Sequence, residues 1–536
     1  EFLDWVDEGS HTLGARFLEE MGGHGLIMPS EVKGLIRSSD PAQVAAAVVV
    51  LWRSWDPADR LMASEGLVRL LGGSEEEVVA GLRTIGRLGD ETLGRYAASH
   101  LASDSPQVRQ EALTSLKGIV TNDSAALVPD ILSALAAVDD RGRYAGLDAL
   151  GRIADPTCVV RLLELSVEFS PPVRRSVLRV LERMGLRSVP ACVAVFTDDR
   201  HPYPARVIAA RFLGTAALPQ LENAWPAVIE NELGRAHQFR AFRRVLDSEM
   251  DPSAGIRILR RFYLDTQDRI VDFILEVLHI AGRLPSYEML SSSLRSELPK
   301  ERANALETVE QGVPRRLFKR LKPLLVDPVG EDDEAPVDGV LVPSVEGIVD
   351  SALGSPFPLE AAAAADAAWE KDDPALLARF RSRLPDLRHE IYRETVVTLA
   401  AEGQGGVTPV DLLDHLTVAP FFEGLRVGDL QEVATRASVR HLKPGDVLFR
   451  AGEPAAYTYV VARGECEEDG RTVGSGALLG EEALAMARVH RSTVVSRGMT
   501  VVAVPTRPLM ELAEVRSALG VELIRHAAGA YGVRSL

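Results

Sequence analysis

The chain has 536 residues, 46% hydrophobic and 26% charged, and a formal net charge of −17 at pH 7. It is long enough for three or four domains or for one long repeat array, and its composition excludes disordered, collagenous and disulfide-stapled classes. The acidic balance argues against nucleic acid as a partner, which would need a basic field.

Cys158, Cys192 and Cys466 lie far apart with no C-x-x-C spacing. That usage suits a reducing, cytoplasmic compartment and offers no metal-ligand set. The longest apolar stretches, such as Val44–Trp52, reach about half a bilayer span. The first residue is Glu1 rather than Met, so the chain is expected to be processed or to be a piece of something longer.

The first half carries an internal repeat. Leu51, Ile85, Leu116, Leu150, Leu181 and Leu213 recur every 31 to 34 residues. Four residues before them stand Ala47, Gly81, Ala112, Gly146, Val177 and Ala209, nearly all small. Seven residues before the last four anchors stands an arginine, namely Arg109, Arg143, Arg174 or Arg206. Openings such as Asp104-Ser105-Pro106 and Ser170-Pro171-Pro172 combine an N-cap with a first-turn proline. The four-residue offset puts the small residue and the anchor on one helix face, where small side chains admit a neighbouring helix. A unit of this length holds two helices and buries its apolar face only by stacking on its neighbours. The arginines could form a phosphate-binding stripe or could cap and pair between adjacent repeats; capping is the expectation.

This column resembles the HEAT-repeat family, best at Val108–Leu116 and Ala205–Gly214. The resemblance covers about 38–215 and continues more weakly through Arg235–Leu246, Asp268–Gly282 and Arg302–Glu310. It implies a helical solenoid over 1–325 whose surface engages a protein partner.

Residues 326–344 contain six acids, no base and three prolines, which reads as an acidic linker. Helices are expected again over 345–402, at about Val345–Leu353, Leu359–Lys371, Pro374–Leu384 and Arg388–Ala401, as further repeats or a cap. Gly403-Gln404-Gly405-Gly406 then breaks the chain. After a helix at Pro409–Leu416 the pattern becomes short alternating strands, at Val439–His441, Val447–Phe449, Tyr457–Val461, Thr493–Val495 and Thr500–Pro505. Asp469-Gly470 closes a hairpin, and helices are expected at Pro508–Val515 and Leu519–Tyr531. The fold class is therefore mostly α, with a small C-terminal β-barrel or jelly roll over 409–536.

That last segment carries an ordered set of blocks: Phe421–Leu425, Lys443–Glu453 with its Pro444-Gly445-Asp446 turn, Tyr459-Val460-Val461, Gly464, Leu479–Leu484 and Arg491–Val494. Together they resemble the cyclic-nucleotide-binding domain family. The resemblance implies a ligand site of Gly480, Glu481, Glu482, Ala483, Leu484, Arg491, Ser492 and Thr493. There Gly480 would permit close backbone approach, and the N–H groups of a short helix would face a cyclic phosphate. Glu481 would accept from the ribose 2′-hydroxyl and Arg491 would contact the phosphate. Ser492 or Thr493 would assist, and the helix at Leu519–Tyr531 would act as a lid. Glu482 departs from the family's aliphatic residue, and His490 stands where a proline is usual. Aligned without a gap, His490 takes the arginine's place.

No other signal points to chemistry. Gly474-Ser475-Gly476 sits in barrel sequence, Gly89–Gly94 lacks the Lys-Ser/Thr of a P-loop, His389-Glu390 lacks a second histidine, and no Gly-x-Ser-x-Gly occurs. No catalytic or metal residue is assigned and the chain is not expected to be an enzyme. Arg302–Glu307 and Asp414–Leu425 are similar to bacterial nucleotide-transporter-like membrane proteins, which carry HEAT repeats and this barrel on their cytosolic side. The expected function is a regulator or scaffold whose barrel senses cAMP or cGMP while the solenoid engages a protein partner or an upstream membrane domain of a longer chain. The alternative is a nucleotide-free scaffold, with a homo-oligomer as one form it could take.

Overall fold

A computed structural model describes residues 27–296, 298–326, 343–371, 376, 378–380, 390–400, 407–417, 419–422, 425–481, 484, 489–515 and 520. The chain divides into two compact units. The first runs to Ile229 and takes back Leu275–Leu290; the second takes Glu230–Ile274 and the chain from Ser291 on.

In the first unit the anchors lie on α1 (Pro41–Trp52), α3 (Glu75–Leu88), α5 (Pro106–Ile119), α7 (Asp140–Ile153), α9 (Pro171–Met184) and α11 (Tyr203–Ala216). All six anchors are fully buried, and each of these helices packs on the next along the row. Between them come α2 (Pro57–Leu71), α4 (Gly94–Ser99), α6 (Val128–Leu135), α8 (Val159–Leu165) and α10 (Val189–Thr197). Helix starts follow the expected chemistry: Asp40, Asp56, Ser105 and Asp139 accept from first-turn N–H groups, with Pro41, Pro57 and Pro106 in the first turn. Small residues set the helix spacing. A Cβ at Gly86 would lie 3.1 Å from Ser115 Cα, and one at Gly118 would lie 3.2 Å from Gly86 O.

The repeat arginines are caps. Arg174 donates from Nε to Ser166 O (3.1 Å) and from Nη2 to Val167 O and Phe169 O (both 3.0 Å). Arg109 donates to Asp104 O and Ala137 O (both 3.0 Å), Arg143 to Leu135 O (3.4 Å) and the buried Arg206 to Phe196 O (3.1 Å). Each guanidinium satisfies carbonyls at or near the end of a helix, which would otherwise lack donors. The first unit fits an α-solenoid.

Two long helices, α12 (Leu218–Asp247) and α13 (Ala254–Ile280), contribute residues to both units. They are followed by α14 (Tyr287–Leu294), α15 (Pro299–Gly312), α16 (Arg315–Leu325), α17 (Val345–Leu353), α18 (Pro358–Glu370) and α19 (Glu390–Ala400). Then come α20 (Pro409–Thr417) and α21 (Val427–Ala434). In α18 the residues Ala361–Ala365, Ala367 and Ala368 are all buried, so this helix is central to the second unit's core. Most of the expected acidic linker, most of the helix expected at Pro374–Leu384 and the whole glycine break lie outside the described residues. No described helix is long and apolar enough to cross a membrane.

The β-domain has six antiparallel strands, β1 (Ser438–Leu442), β2 (Val447–Phe449), β3 (Tyr457–Glu468), β4 (Arg471–Val473), β5 (Leu478–Leu479) and β6 (Val494–Pro505), followed by α22 (Thr506–Val515). β6 pairs with β1, β2 and β3, and β3 also pairs with β4 and β5. The two strands expected at Thr493–Val495 and Thr500–Pro505 form one strand, and Tyr457–Val461 extends to Glu468. The β3–β6 register shifts at Val461/Arg463 and at Gly464/Cys466, where the sequence interrupts its alternation with Arg463-Gly464 and Ser496-Arg497-Gly498. Alternation gives the sheet two faces. One presents Phe449, Tyr459, Val461, Leu479, Val501 and Ala503 to the barrel interior. The other presents Val460, Ala462, Val502 and Val504 to a core shared with α20 and α21.

Candidate functional site

The turns that frame the barrel form as the sequence suggests. Gly445 adopts φ +92°, the Lys443 N–H donates to Asp446 Oδ2 (2.8 Å), and Gly445 N–H reaches Ser496 O (2.7 Å). Asp469 and Gly470 both take positive φ, +46° and +83°, as a two-residue hairpin turn requires.

Gly480 follows β5, which is held to β3 by the pairs Tyr459–Leu479 and Val460–Leu478. Its φ is +70°, a left-handed value that favours glycine. Glu481 opens a turn there, with Leu484 N–H donating to Glu481 O (3.0 Å). Leu484 is buried in the core shared with the helices, on the opposite face from the barrel interior. Glu482 and Ala483 lie outside the described residues, as does nearly all of the segment expected to be a lid.

The residue that faces Gly480 is His490. It is 3% exposed, and its Cε1 would lie 3.0 Å from a Cβ at Gly480. Its backbone is fixed on both sides: its N–H donates to Glu453 O and its O accepts from Gly452 N–H, both at 2.8 Å. Its ring stacks on Phe449 at 3.8 Å and 15°, and Phe449 stacks on Tyr459 at 5.6 Å. Arg491, one residue on, is exposed. Ser492 and Thr493 are tied elsewhere. The Ser492 hydroxyl donates to Glu468 Oε1 (2.7 Å), Thr493 N–H donates to Asp469 Oδ1 (3.1 Å), and the Thr493 hydroxyl accepts from Ala451 N–H (3.1 Å). Of the expected set, the structure therefore places Gly480 and Glu481 at one turn. It puts His490 opposite Gly480, and gives Ser492 and Thr493 a role in closing the β3–β4 hairpin end.

Sequence reasoning missed Arg440, an exposed cation on β1 beside the barrel. Arg440 on β1 pairs in register with Val501, which lies on the interior face, and Leu442 two residues on packs against the same interior cluster. The Arg440 guanidinium sits 5.2 Å from the centre of the Tyr457 ring and 5.6 Å from that of Tyr459. Burial raises the Tyr459 phenol above its ordinary pKa, while the charge and hydrogen bond of Arg440 offset part of that rise. The period-two pattern Ser438, Arg440, Leu442 was the signal that could have found Arg440.

The thiols offer no reactive alternative. All three are buried and free, and burial pushes Cys158 and Cys192 up to about 12 and Cys466 to about 11.

Residues 439–515 match the family model for the cyclic nucleotide-binding domain. Over 84 residues the chain is 36% identical to a protein of Rhodopseudomonas palustris named for a potassium channel, a match covering 14% of this chain and 20% of that protein. The chain thus spans one fifth of the curated relative it matches. Similar solved structures include a cyclic nucleotide-binding-like protein from Brucella abortus, 28% identical, covering 19% of this chain and 98% of that one, with a TM-score of 0.17. They also include the N-terminal domain of a transcriptional regulator from Streptomyces coelicolor, 26% identical, covering 22% and 91%, with a TM-score of 0.20. The regulatory domain of Toxoplasma gondii PKA, solved with cAMP, is 18% identical over 23% of this chain and 50% of that one, with a TM-score of 0.20. The C-terminal β-domain of this mostly α chain is of the cyclic-nucleotide-binding type.

Proposed function

We propose that the barrel senses a cyclic nucleotide, cAMP or cGMP, and that the chain is a non-enzymatic regulator. The observation that supports this best is the left-handed turn at Gly480–Glu481, inside the span that matches the family model and next to the barrel interior. Backbone N–H groups at the start of such a turn suit an anion, and Glu481 would accept from a ribose hydroxyl. The helical repeats, read as HEAT-type, would carry the response to a protein partner or to an upstream membrane domain in a longer chain. A ligand shifts such a switch only through its differential affinity for the two states. Titration calorimetry with cAMP and with cGMP tests the reading. Saturable binding that weakens at least tenfold in Glu481→Ala is the expected result. No heat up to millimolar nucleotide would sink it.

A nucleotide-free scaffold is the second reading. It is favoured by the stack of Phe449, Tyr459 and His490, which fills interior space beside Gly480 with the protein's own rings. That reading expects a homo-oligomer or a bound partner whose assembly, followed by light scattering, is indifferent both to nucleotide and to Glu481→Ala.

A further inference from the structure

We propose that the outer face of α5, α7 and α9 is a docking surface for an acidic segment of a partner protein. The inference gives the helical repeats a surface and their partner a chemistry, and it stands whether or not the barrel binds a nucleotide.

The sequence sets the face. On α9, Arg175, Arg179 and Arg183 recur every four residues, and on α7 Arg141, Tyr144, Asp148 and Arg152 keep the same helical spacing. All five arginines are exposed, unlike the capping Arg143 and Arg174 of the same helices, which are half-buried. Contacts between helices then gather the charge. The Ser170 hydroxyl before α9 donates to Asp140 Oδ2 at the start of α7 (2.5 Å), and Arg183 near the end of α9 reaches Asp148 Oδ1 on α7 (2.5 Å), so the two ridges run side by side. Gly151 makes room for this, since a Cβ there would lie 3.0 Å from Arg183 Cδ and Nη1. Lys117 from α5 and Arg152 from α7 share the other oxygen of Asp148, at 3.6 and 3.9 Å. One carboxylate thus answers cations from three successive helices. Among the described residues no carboxylate pairs with Arg141, Arg175 or Arg179; Arg179 donates to the Ser176 hydroxyl (2.7 Å). With Lys117 the face holds six exposed cations against the acids Asp148 and Glu182.

Charge complementarity names the occupant. The chain as a whole carries −17, so a bilayer or a nucleic acid, extending well past this face, would meet repulsion around it. Three helices at their usual spacing span roughly 20–30 Å. A short acidic segment fits within that width, and at physiological salt charges more than about 8 Å away are largely screened from it. Guanidinium forks give each carboxylate paired donors. Tyr144, 39% exposed on the same ridge, adds an aromatic contact of the kind that joins arginine at binding hot spots.

The test is fluorescence anisotropy of a labelled oligoglutamate peptide with the full chain, with an oligonucleotide and phosphatidylserine vesicles as comparison probes. A triple variant, Arg141→Gln, Arg175→Gln and Arg179→Gln, removes charge and leaves the Asp148 cluster intact, so its melting temperature should match wild type. The expected result is saturable peptide binding that weakens with salt and is at least tenfold weaker in the triple variant. Lys300→Gln, which removes an exposed cation of the second unit, should change it less than twofold. Peptide binding undiminished in the triple variant, or none by wild type at millimolar peptide, overturns the proposal. So does tighter binding of the oligonucleotide or the vesicles that is lost in the triple variant, because the surface would then serve another class of partner. Each of these outcomes is separate from the calorimetry that tests the barrel.

Discussion

Gly464 shows how one residue can decide whether the barrel closes. It sits at φ +83° in the middle of β3, opposite Met499, where the β3–β6 register shifts. A Cβ there would collide with the carbonyl oxygen of Gly498 and would lie 2.9 Å from Met499 Cα. Both strain and overlap fall on backbone atoms that cannot rotate away. Gly464→Ala should therefore cost more than about 3 kcal/mol, placing it among the few severe single substitutions. Cys466, two residues on, reports the damage, since it is buried among barrel residues. A thiol reagent should label Cys466 in Gly464→Ala while Cys158 and Cys192 stay protected. Equal protection of all three thiols would show that the strands tolerate the methyl group. The position stood out in the sequence as one of the family blocks, but its reason did not, because only the pairing with Gly498 and Met499 reveals the contact.

At the scale of elements, the repeat arginines are the most legible feature and the long strands the least. Spacing alone placed Arg109, Arg143, Arg174 and Arg206 at equivalent helix positions, and capping follows because each reaches back to carbonyls of earlier residues. Their burial differs, and so should their worth. Arg206 is fully buried with Nε on Phe196 O, whereas the half-buried Arg109 reaches Ala137 O through an exposed hydrogen bond. Arg206→Ala should cost roughly 2–3 kcal/mol, the range for a buried charged hydrogen bond plus lost packing, and Arg109→Ala about 1 kcal/mol. Thermal unfolding of the two variants measures the difference, and equal losses would mean that burial adds nothing to this cap. The strands hid for a physical reason. Arg463-Gly464 and Ser496-Arg497-Gly498 sit near each other across β3 and β6, so the polar interruption of one strand is answered by that of the other. A single strand read alone looks broken there, and only the pair shows that the ladder continues through an irregularity.

The whole second unit is organised around acids that the sequence scatters and the fold gathers. Asp366 on α18 lies with Glu370 and with Asp411 on α20, their carboxylate oxygens within 4.8 Å of one another. Asp366 accepts from Gly255 N–H and from the Thr408 hydroxyl, both at 3.0 Å, so it joins the start of α13 to the entry of α20. Nearby, Arg257 holds Asp414 through two donors at 2.8 and 2.6 Å. Nothing in the chain order suggests this meeting, since Asp366 interrupts an alanine run and Asp411 follows the glycine break. Burial first, and the charges of Asp411 and Glu370 next, push Asp366 up to about 7; the two hydrogen bonds pull the other way. The unfolded chain would release this proton near pH 4. Between about pH 4 and 7 the folded state therefore holds a proton that the unfolded state has lost. By linkage its contribution to stability is full at low pH and falls as pH rises through that window. His100, His237 and His415 act in the opposite sense, because burial lowers their pKa and costs stability as pH falls below about 6.5. The effect of Asp366 must thus be read as a difference between two proteins. Asp366→Asn keeps the acceptor for Gly255 N–H and removes the titration. Relative to wild type it should gain roughly 2–4 kcal/mol in unfolding free energy between pH 5 and pH 8, measured by urea denaturation at each pH. Parallel stability profiles for the two proteins would mean that Asp366 does not hold its proton near neutrality and that the junction of α13, α18 and α20 tolerates a buried charge.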